Sequence, residues 1–287
     1  MRRHLSRVYV EVTGLAGLVA TALSIWLATG PSGWPALLGA APWVLAVGLI
    51  AASKALPSRL VPRLPRHPWL LYAIATASAV VAVAAGWPSV AMATAGLAAL
   101  LGYTAWFSRQ HRPSGAVAAG APLPAFPLQT VDGREVGSAA LTHQPHVILF
   151  YRGSWCPFCV AQIQAIAGQY RELSARGVRV ALISSRRAEE TEELSARFDA
   201  PMDFYVDAGG GAAKALDIVQ EGGTPVTYAG GAGDAGCDTV VPTVIITRAD
   251  GTVAWIHHSD DHRVRPEPSL YLEVIDREGI AVARHGA

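Results

Sequence analysis

The feature that most constrains this chain is a C-x-x-C pair, Cys156 and Cys159, because of where the sequence places it. An apolar run over 146–150 predicts a strand before the pair, and apolar residues at helical spacing over 160–173 predict a helix after it. A thiol at the start of a helix lies near free backbone N–H groups and the positive end of the helix dipole. Both favour the thiolate, which is the reactive form of cysteine. The pattern therefore predicts a dithiol redox site where a strand meets a helix.

The chain has only three cysteines, the third being Cys237. So few cysteines do not fit a secreted domain held together by disulfides. A structural zinc site needs four ligands, and the absence of a second cysteine pair disfavours zinc. We expect a redox-active pair with no metal and no organic cofactor, and a buried structural pair or a metal site is the alternative.

Charge and hydropathy divide the chain into two unlike parts. Residues 1–112 contain nine Lys/Arg and one acidic residue, a balance of +8, whereas residues 113–287 contain fourteen Lys/Arg and twenty-one acidic residues, a balance of −7. The basic residues of the first part flank long apolar segments. We interpret them as membrane-topology signals and not as a nucleic-acid surface, so no nucleic acid is expected as a partner.

Four apolar stretches of the first part are long enough, or nearly so, for helices of about 20 residues that cross a bilayer. They are 8–29, 34–53, 69–87 and 89–107. The predicted architecture is an α-helical transmembrane bundle of four spans over 1–107, a flexible linker over 108–121, and an α/β domain over 122–287. A signal peptide does not fit the first stretch, which is long and is followed by three more.

The basic residues all fall on one side of the predicted bundle. They occur in the N-terminal tail, between the second and third stretches and after the fourth, and the other two connections have none. The positive-inside rule then places both termini and the α/β domain in the cytoplasm. Arginine outnumbers lysine 21 to 2, which is typical of a GC-rich bacterial genome, so we expect a multi-pass protein of the bacterial inner membrane.

Strand and helix patterns alternate through the second part. Strands are predicted over 126–131, 146–151, 178–183, 203–206, 239–247 and 252–257, the fifth of them interrupted by Pro242. Helices are predicted over 160–173, 189–198, 211–216 and 269–277. Asp132-Gly133 is a hairpin-turn signal. Strands that alternate with helices and end in a hairpin indicate an α/β sandwich with a central mixed sheet.

Several motifs of this part resemble the thioredoxin-like superfamily, and more narrowly the peroxiredoxin-like (alkyl hydroperoxide reductase/thiol-specific antioxidant) redoxins. The residues that carry the resemblance are Ala121-Pro122, Phe126, Asp132-Gly133, the stretch from Phe150 to Cys159, Val241-Pro242-Thr243, Asp250-Gly251 and Arg263-Val264-Arg265-Pro266. The resemblance extends over about 121–280 and includes none of the predicted bundle.

The resemblance implies a thioredoxin-like fold in which Cys156 is the nucleophile and Cys159 resolves the mixed disulfide. It also implies that Pro242, followed by Thr243, forms a cis peptide bond that faces the cysteines. A cis bond there would leave nearby backbone groups free to pair with a substrate strand.

Three neighbours of the pair have expected supporting roles. Trp155 would cover the edge of the active site, and Pro157 would fix the backbone between the thiols and help to start the helix. Arg152 could lower the pKa of Cys156 or hold an anionic substrate, and a solvated surface arginine is the alternative. The same two readings apply to Arg186, Arg187, Arg263 and Arg265.

One position departs from the family. Typical peroxiredoxins place Thr or Ser three residues before the peroxide-reactive cysteine, and this chain has Gly153 there. The Trp-Cys-Pro-x-Cys core looks more like a thiol-disulfide exchanger. We therefore expect a membrane-anchored thiol-disulfide oxidoreductase, with a peroxiredoxin-like thiol peroxidase or a non-enzymatic membrane redox sensor as alternatives. Its expected partners are the lipid bilayer, a protein disulfide or peroxide substrate, and a cytoplasmic dithiol donor such as thioredoxin or a small thiol.

Two further features could carry chemistry. Cys237, in a Gly-rich stretch, is a candidate third redox thiol or an incidental cysteine. The histidines and aspartates of 257–262 resemble a metal site, but strand alternation sends His257 and His258 to opposite faces, which disfavours metal binding.

Overall fold

The computed structural model describes residues 2–55, 67–110, 117–224 and 237–280. They divide into two compact units that meet in the sequence at Arg109 and Gln110. The first unit is helical and the second is α/β. The basic residues Arg59, Arg63 and Arg66, on which the predicted topology partly depends, lie outside the described residues.

Four α-helices are described in the first unit. They are α1 (Arg2–Ala28), α2 (Ala41–Ala55), α3 (Trp69–Val81) and α4 (Trp87–Leu101). A 3₁₀ helix precedes α2, another follows α3, and a π-helix continues α4: Trp34–Gly39, Ala82–Ala85 and Gly102–Phe107.

Two helical segments of this unit are long and apolar enough to cross a membrane, Val8–Ala28 and Trp87–Phe107, each of 21 residues. At 1.5 Å per residue such a helix is about 32 Å long, against a hydrocarbon core of about 30 Å. The other two apolar segments, Ala41–Ala52 and Trp69–Ala85, are shorter, about 18 and 26 Å by the same rise. Four spans are therefore not confirmed, and two of the four predicted stretches meet the length that a span needs.

Proline and glycine account for the two shorter segments. Pro35 lies in the 3₁₀ helix and Pro42 at the start of α2, so the stretch 34–53 does not form one continuous α-helix. Gly86, with φ of 92°, ends the third stretch in a conformation that favours glycine.

Glycine also sets the distance between α2 and α4. A Cβ at Gly96 would lie 2.8 Å from the backbone nitrogen of Trp43 and 3.0 Å from Pro42 Cβ. Trp43 Nε1 donates a hydrogen bond of 2.9 Å to the carbonyl oxygen of Met92. Small residues permit such a close approach of two helix backbones.

The second unit alternates strands and helices. Its elements are β1 (Pro127–Thr130), β2 (Glu135–Gly137), β3 (His146–Phe150), α5 (Pro157–Gly168), α6 (Tyr170–Ala175), β4 (Arg179–Ser184), α7 (Ala188–Ser195), β5 (Asp203–Val206), α8 (Gly211–Ala215), β6 (Val219–Gln220), β7 (Thr239–Val240), β8 (Thr243–Thr247), β9 (Val253–His258) and α9 (Pro268–Arg277).

Seven strands form one mixed sheet in the order β2-β1-β5-β4-β3-β8-β9. The central pairs β3–β4 and β4–β5 are parallel, and the other neighbours are antiparallel. The predicted mixed sheet is confirmed. Strands β6 and β7 form a separate antiparallel ribbon.

Strand β3 is buried along its whole length, because both faces of the sheet are covered. Ile148 and Phe150 belong to an apolar cluster that includes residues of α8. Val147 and Leu149 point to the opposite face and are also fully buried. Helices α5 and α9 contact each other and supply buried apolar residues of their own.

One helix and two short strands differ from the sequence-based prediction. The helix expected over 160–173 is two helices, α5 and α6, separated at Gln169, whose φ of −107° and ψ of 12° are not helical. The interruption expected at Pro242 is present, since the stretch 239–247 divides into β7 and β8 around this proline, which cannot donate to a ladder. The short strands β2 and β6 were not predicted.

Candidate active site

The cysteine pair lies at the turn from β3 to α5. Beyond the end of β3 the Tyr151 N–H still donates to the Ile183 carbonyl oxygen at 3.0 Å, so the chain stays attached to β4. The Cys156 N–H donates to the Gly153 oxygen at 3.2 Å and closes a turn. Pro157 is the first residue of α5, where its missing N–H has no consequence for helix bonding. Cys156 is therefore the N-cap, and Cys159 lies in the first turn.

Both cysteines are free thiols, and their sulfur atoms are 2.9 Å apart. This separation is within hydrogen-bond reach and exceeds the roughly 2.05 Å of a disulfide. Cys156 is 1% exposed and Cys159 is 0% exposed. The pair is thus a buried dithiol that needs little movement to form a disulfide.

Two arginines act on the pair. Arg265, in the loop before α9, places Nη2 3.8 Å from Cys159 Sγ. Arg152 is buried next to the pair, and its guanidinium lies over the Trp155 ring at 4.8 Å from the ring centroid. Both positive charges favour a thiolate.

The two sulfurs differ in acidity. Burial opposes ionisation of Cys159, but the hydrogen bond with Cys156, the charge of Arg265 and the backbone N–H of Arg152 outweigh it and lower the pKa of Cys159 to about 5. Burial raises the pKa of Cys156 well above its ordinary value, and the interaction with Cys159 raises it further. The reduced pair therefore holds one proton and one negative charge at neutral pH.

Gly153 cannot be replaced by a larger residue without rearrangement. Its φ is 144°, and a Cβ there would lie 2.7 Å from Trp155 Nε1 and 3.0 Å from Arg186 Cγ. The position of the family's Thr or Ser is thus closed by the Trp155 indole. The half-buried Trp155 lies against the turn that leads to the pair.

The expected cis bond at Pro242 is absent. All described peptide bonds are trans, and the backbone groups around this proline are used within the fold. The Val241 N–H donates to Ile218 oxygen at 2.7 Å, and the Pro242 oxygen accepts from the Ser259 N–H at 2.9 Å. The Val241 oxygen accepts from the Thr243 hydroxyl at 2.9 Å. Because these backbone groups are paired within the fold, the segment of Val241 and Pro242 offers no free edge to a substrate strand.

The other candidate arginines are paired with carboxylates. Arg186 donates to both oxygens of Glu190, at 3.0 and 2.9 Å, and Arg187 donates to the same group at 3.1 Å. Arg263 and Asp261 form a buried ion pair of 3.1 Å. The charges of these three arginines are thus balanced by carboxylates, whereas Arg152 and Arg265 act on the sulfurs.

The remaining candidates lie apart from the pair or from each other. His257 stacks on Trp255 with ring centroids 5.8 Å apart, whereas His258 Nδ1 is 3.0 Å from the Thr243 hydroxyl. The two histidines thus face different neighbours, as the strand alternation predicted. Cys237 is exposed, and its carbonyl oxygen accepts from the Thr224 N–H at 3.2 Å.

Strand β6 and its pairing with β7 in a ribbon were missed from the sequence, although the ribbon contacts the site. The Arg152 guanidinium donates to the carbonyl oxygen of Gly223, shortly after β6, and the Thr239 hydroxyl of β7 donates to the Arg152 oxygen at 3.3 Å. The only sequence signal for the ribbon is a pair of short apolar runs on either side of a Gly-rich stretch. The ribbon holds Arg152 at both its main chain and its side chain.

A buried dithiol at the strand-to-helix turn of a mixed α/β sheet defines a thiol-redox class of domain. Residues 119–256 match the AhpC/TSA family, within the second unit and over slightly less than half of the chain. No curated protein matches the chain.

Solved structures similar to this chain include three redox proteins. Peroxidoxin BcpB from Mycobacterium tuberculosis is 16% identical, with a TM-score of 0.46 over 58% of this chain and 98% of that one. Reduced Prx3 from Vibrio vulnificus, in complex with H₂O₂, is 17% identical, with a TM-score of 0.43 over 50% and 88%. AhpC from Mycobacterium tuberculosis is 13% identical, with a TM-score of 0.43 over 56% and 92%.

The family match thus lies in a unit whose central mixed sheet with helices fits a thioredoxin-like α/β domain. This class supports thiol-dependent oxidoreductase or peroxidase activity. The family match ends before Arg265 and includes nothing of the first unit.

Proposed function

We propose that this protein is a thiol-dependent peroxidase whose redox centre is the pair of Cys156 and Cys159. The observation that carries the proposal is the enclosure of the pair, whose sulfurs are 2.9 Å apart and at most 1% exposed. A hydroperoxide has a small reacting end that reaches a buried sulfur after a small local opening. A protein disulfide has to lay a peptide segment beside the site, where the backbone groups of Val241 and Pro242 are already paired.

The proposed reaction uses both sulfurs and no cofactor. Cys156 attacks one peroxide oxygen, the O–O bond breaks, and an alcohol or water leaves, so that Cys156 becomes a sulfenic acid. Cys159 then attacks the Cys156 sulfur, forms the disulfide and releases water. The peroxide gains two electrons and the two thiols lose them. A dithiol donor such as thioredoxin, or two molecules of a small thiol, restores the reduced pair.

Thiol-disulfide exchange is the second candidate, and Gly153 favours it. A glycine supplies no hydroxyl to orient a peroxide, and the Trp155 indole occupies the space that such a side chain would need. Exchange would use the same two cysteines, with the attack directed at a disulfide sulfur in place of a peroxide oxygen.

One experiment separates the two reactions. The reduced full-length chain, in detergent, is mixed with hydrogen peroxide, and free thiols and the 156–159 disulfide are followed by mass spectrometry. We expect rapid loss of two thiols in the natural protein and in the control Cys237→Ser, and no such disulfide in Cys156→Ser. If the protein is inert to peroxide but rapidly reduces insulin, the result contradicts peroxidase activity and supports thiol-disulfide exchange. Inertness to both would leave the redox sensor.

We further propose that the first unit anchors the domain to a bilayer through α1 and through α4 with its π-helix. Large apolar side chains are exposed along α1, among them Leu15, Leu18 and Trp26. Such a surface suits lipid and not water. The placement of Lys and Arg favours the cytoplasmic side of a bacterial inner membrane for the redoxin domain.

A further inference from the structure

A buried tyrosine of α9 joins the loop that carries Arg265 to the helix that carries Cys159. The Tyr271 hydroxyl donates a hydrogen bond of 3.2 Å to the Pro266 oxygen. It accepts a second hydrogen bond, of 2.9 Å, from Gln162 Nε2. Tyr271 and Gln162 are both buried. Loss of the hydroxyl would therefore leave two polar groups without a partner and without access to solvent.

The two ends of this connection lie next to the redox pair. Gln162 comes three residues after Cys159 on α5, and residues at this spacing share one helix face. Pro266 directly follows Arg265, whose Nη2 is 3.8 Å from Cys159 Sγ. The Tyr271 hydroxyl thus connects the two segments whose separation sets the distance between guanidinium and sulfur.

The main-chain hydrogen bonds of the Arg265 guanidinium stay within its own loop. Nη1 donates to the Val264 oxygen at 2.9 Å and lies 3.4 Å from the Asp261 oxygen. These bonds fix the guanidinium on the loop but not the loop on α5. The His262 ring lies edge-on against Phe158 of α5, with centroids 5.8 Å apart. This apolar contact keeps the loop near the helix, and the directional bonds of the tyrosine then set its exact position.

We propose that Tyr271 is a positioning residue of the redox site: its two hydrogen bonds hold the Arg265 guanidinium beside the sulfurs, where the positive charge stabilises the reacting thiolate. The inference rests on the proposed function and deepens it, and it applies to either reaction of the pair. Tyr271 acts through Arg265, and it lies beyond residue 256, at which the family match ends.

The charge of Arg265 acts on the pair as a unit. The sulfurs are 2.9 Å apart, and the charges of Arg265 and Arg152 act on both of them. In a site with little solvent, the attraction between a guanidinium and a thiolate weakens as their distance grows and as water enters. A displaced guanidinium therefore raises the pH at which the pair first ionises. The other ionisable groups that face the pair, Arg265 or Tyr271 are Tyr151, His257 and Glu267.

The test follows the absorbance of the thiolate at 240 nm against pH, on the reduced full-length chain in detergent. A Cys237→Ser background removes the exposed thiol. Tyr271→Phe deletes only the hydroxyl and keeps the ring, whose centroid is 6.3 Å from that of Trp255. Arg265→Met, which removes the charge, should raise the midpoint of the first ionisation by about one to three pH units. Tyr271→Phe, which displaces the charge, should raise it by about 0.5 to 1 unit.

The pH profile of the rate with hydrogen peroxide is a readout that a merely structural role would not move. Only the thiolate reacts. Tyr271→Phe should therefore be about three- to tenfold slower than its parent at pH values below both midpoints, and equally fast above them. A loss of rate by the same factor at every pH would show that the hydroxyl supports the fold and not the charge.

A double substitution tests whether Tyr271 acts through Arg265. In an Arg265→Met background, Tyr271→Phe should add no further shift, because the charge that it positions is gone. An equal shift with and without Arg265 would overturn the inference. Tyr205→Phe is the matched control, because it deletes a phenol hydroxyl from a half-buried residue of β5. A shift of the same size in this control would also refute the role of Tyr271.

A second variant covers the case in which Tyr271→Phe does not fold. Gln162→Leu removes one of the two hydrogen bonds and keeps the bond between Tyr271 and Pro266. Its midpoint should rise as well. A midpoint equal to that of the parent, in Gln162→Leu or in a folded Tyr271→Phe protein, would contradict the proposal.

The titration contains no peroxide, so its result is separate from that of the peroxidase assay. A shifted midpoint in a protein inert to peroxide would leave the role of Tyr271 and refute the peroxidase. Rapid peroxide reduction with an unshifted midpoint would refute the role of Tyr271 and leave the peroxidase.

Discussion

At the scale of single residues, Gly153 is the position where a family pattern and local geometry conflict. Its φ of 144°, and the 2.7 Å that would separate an added Cβ from Trp155 Nε1, leave no room for a side chain. We expect Gly153→Thr to destabilise the domain by about 1–3 kcal/mol, as for other strained backbone positions, and not to raise the rate with peroxide. Chemical denaturation and the peroxide assay measure the two effects.

The matched control for this substitution is Gly168→Ala, at the end of α5. No atom lies within 4 Å of the Cβ that it would add, and alanine is the better helix former. Its stability should equal or exceed that of the natural protein. A Gly153→Thr protein as stable as this control would show that the turn accommodates a side chain.

The ionisation of Cys159 also predicts how stability depends on pH. Its pKa is about 5 in the folded, reduced protein, below the ordinary 9.0. Because this pKa is lower in the folded state, ionisation of Cys159 stabilises the fold fully above pH 9 and not at all below pH 5. Its contribution to the free energy of unfolding therefore rises with pH between the two values. The raised pKa of Cys156 changes the pH dependence of stability only above pH 9. The difference in thermal midpoint between the reduced natural protein and Cys159→Ser should therefore grow from about pH 5.5 to about pH 8.5.

The half-buried histidines His257 and His258 also titrate near this pH range, so the prediction is made for a difference between two proteins. Burial lowers the pKa of His257 and His258, so folding loses stability as pH falls below about 6.5 in both proteins. A difference that stays constant with pH would contradict the charge on Cys159.

At the scale of elements, the loop before α9 depends on the buried pair of Asp261 and Arg263. Their side chains are 3% and 1% exposed, and the Arg263 N–H also donates to Asp261 at 2.9 Å. Removing one partner of a buried ion pair costs about 3–5 kcal/mol. We expect Asp261→Asn to lower the free energy of unfolding by this order and, because Arg265 belongs to the same loop, to raise the thiolate midpoint of Cys159.

Asp276→Asn is the control for that experiment. Asp276 pairs with Arg176 on the surface at 2.7 Å, where solvent screens the interaction. Stability and thiolate midpoint should both stay close to those of the natural protein. If Asp261→Asn and Asp276→Asn lowered stability equally, burial would not make the ion pair of Asp261 and Arg263 more important than a surface pair.

The sequence predicts the elements of the redoxin domain well where a single hydrophobic pattern is sufficient to assign a strand or a helix. The uninterrupted apolar runs of β3 and β4 indicate strands covered on both faces. The apolar pattern does not reveal the helix break at Gln169, because Ile166, Tyr170 and Leu173 keep helical spacing across it. Ribbon strands of two residues are too short to show a period at all.

The site itself is predictable only in part. The C-x-x-C spacing locates both sulfurs, since they lie within one helical turn. Which arginine reaches them depends on the fold, because Arg265 is 106 residues from Cys159 in the sequence. The paired backbone around Pro242 likewise depends on Ile218 and Ser259, which belong to other segments.

At the scale of the whole molecule, the first unit is expected to hold the chain in a membrane. Leu18 lies in the middle of α1 with 72% of its surface exposed. An arginine at the centre of a span costs about 2.5–3.5 kcal/mol for insertion. We expect Leu18→Arg to lower the fraction of protein that stays in membranes after an alkaline carbonate wash.

Thr29→Arg provides the comparison, since this residue directly follows α1 and would lie near the membrane surface. The Thr29→Arg protein should stay in membranes after the carbonate wash to the same extent as the natural protein. Full retention of Leu18→Arg would exclude α1 as a span.

The short distance between the two sulfurs has a consequence for survival under oxidative stress. A sulfenic acid on Cys156 has its capturing sulfur about 3 Å away, and such proximity corresponds to an effective concentration far above that of any cellular oxidant. Condensation to the disulfide should therefore outpace a second oxidation to the irreversible sulfinic acid. The proposed peroxidase should withstand a burst of peroxide that permanently inactivates thiol proteins without a neighbouring cysteine, and should recover fully once reductant returns.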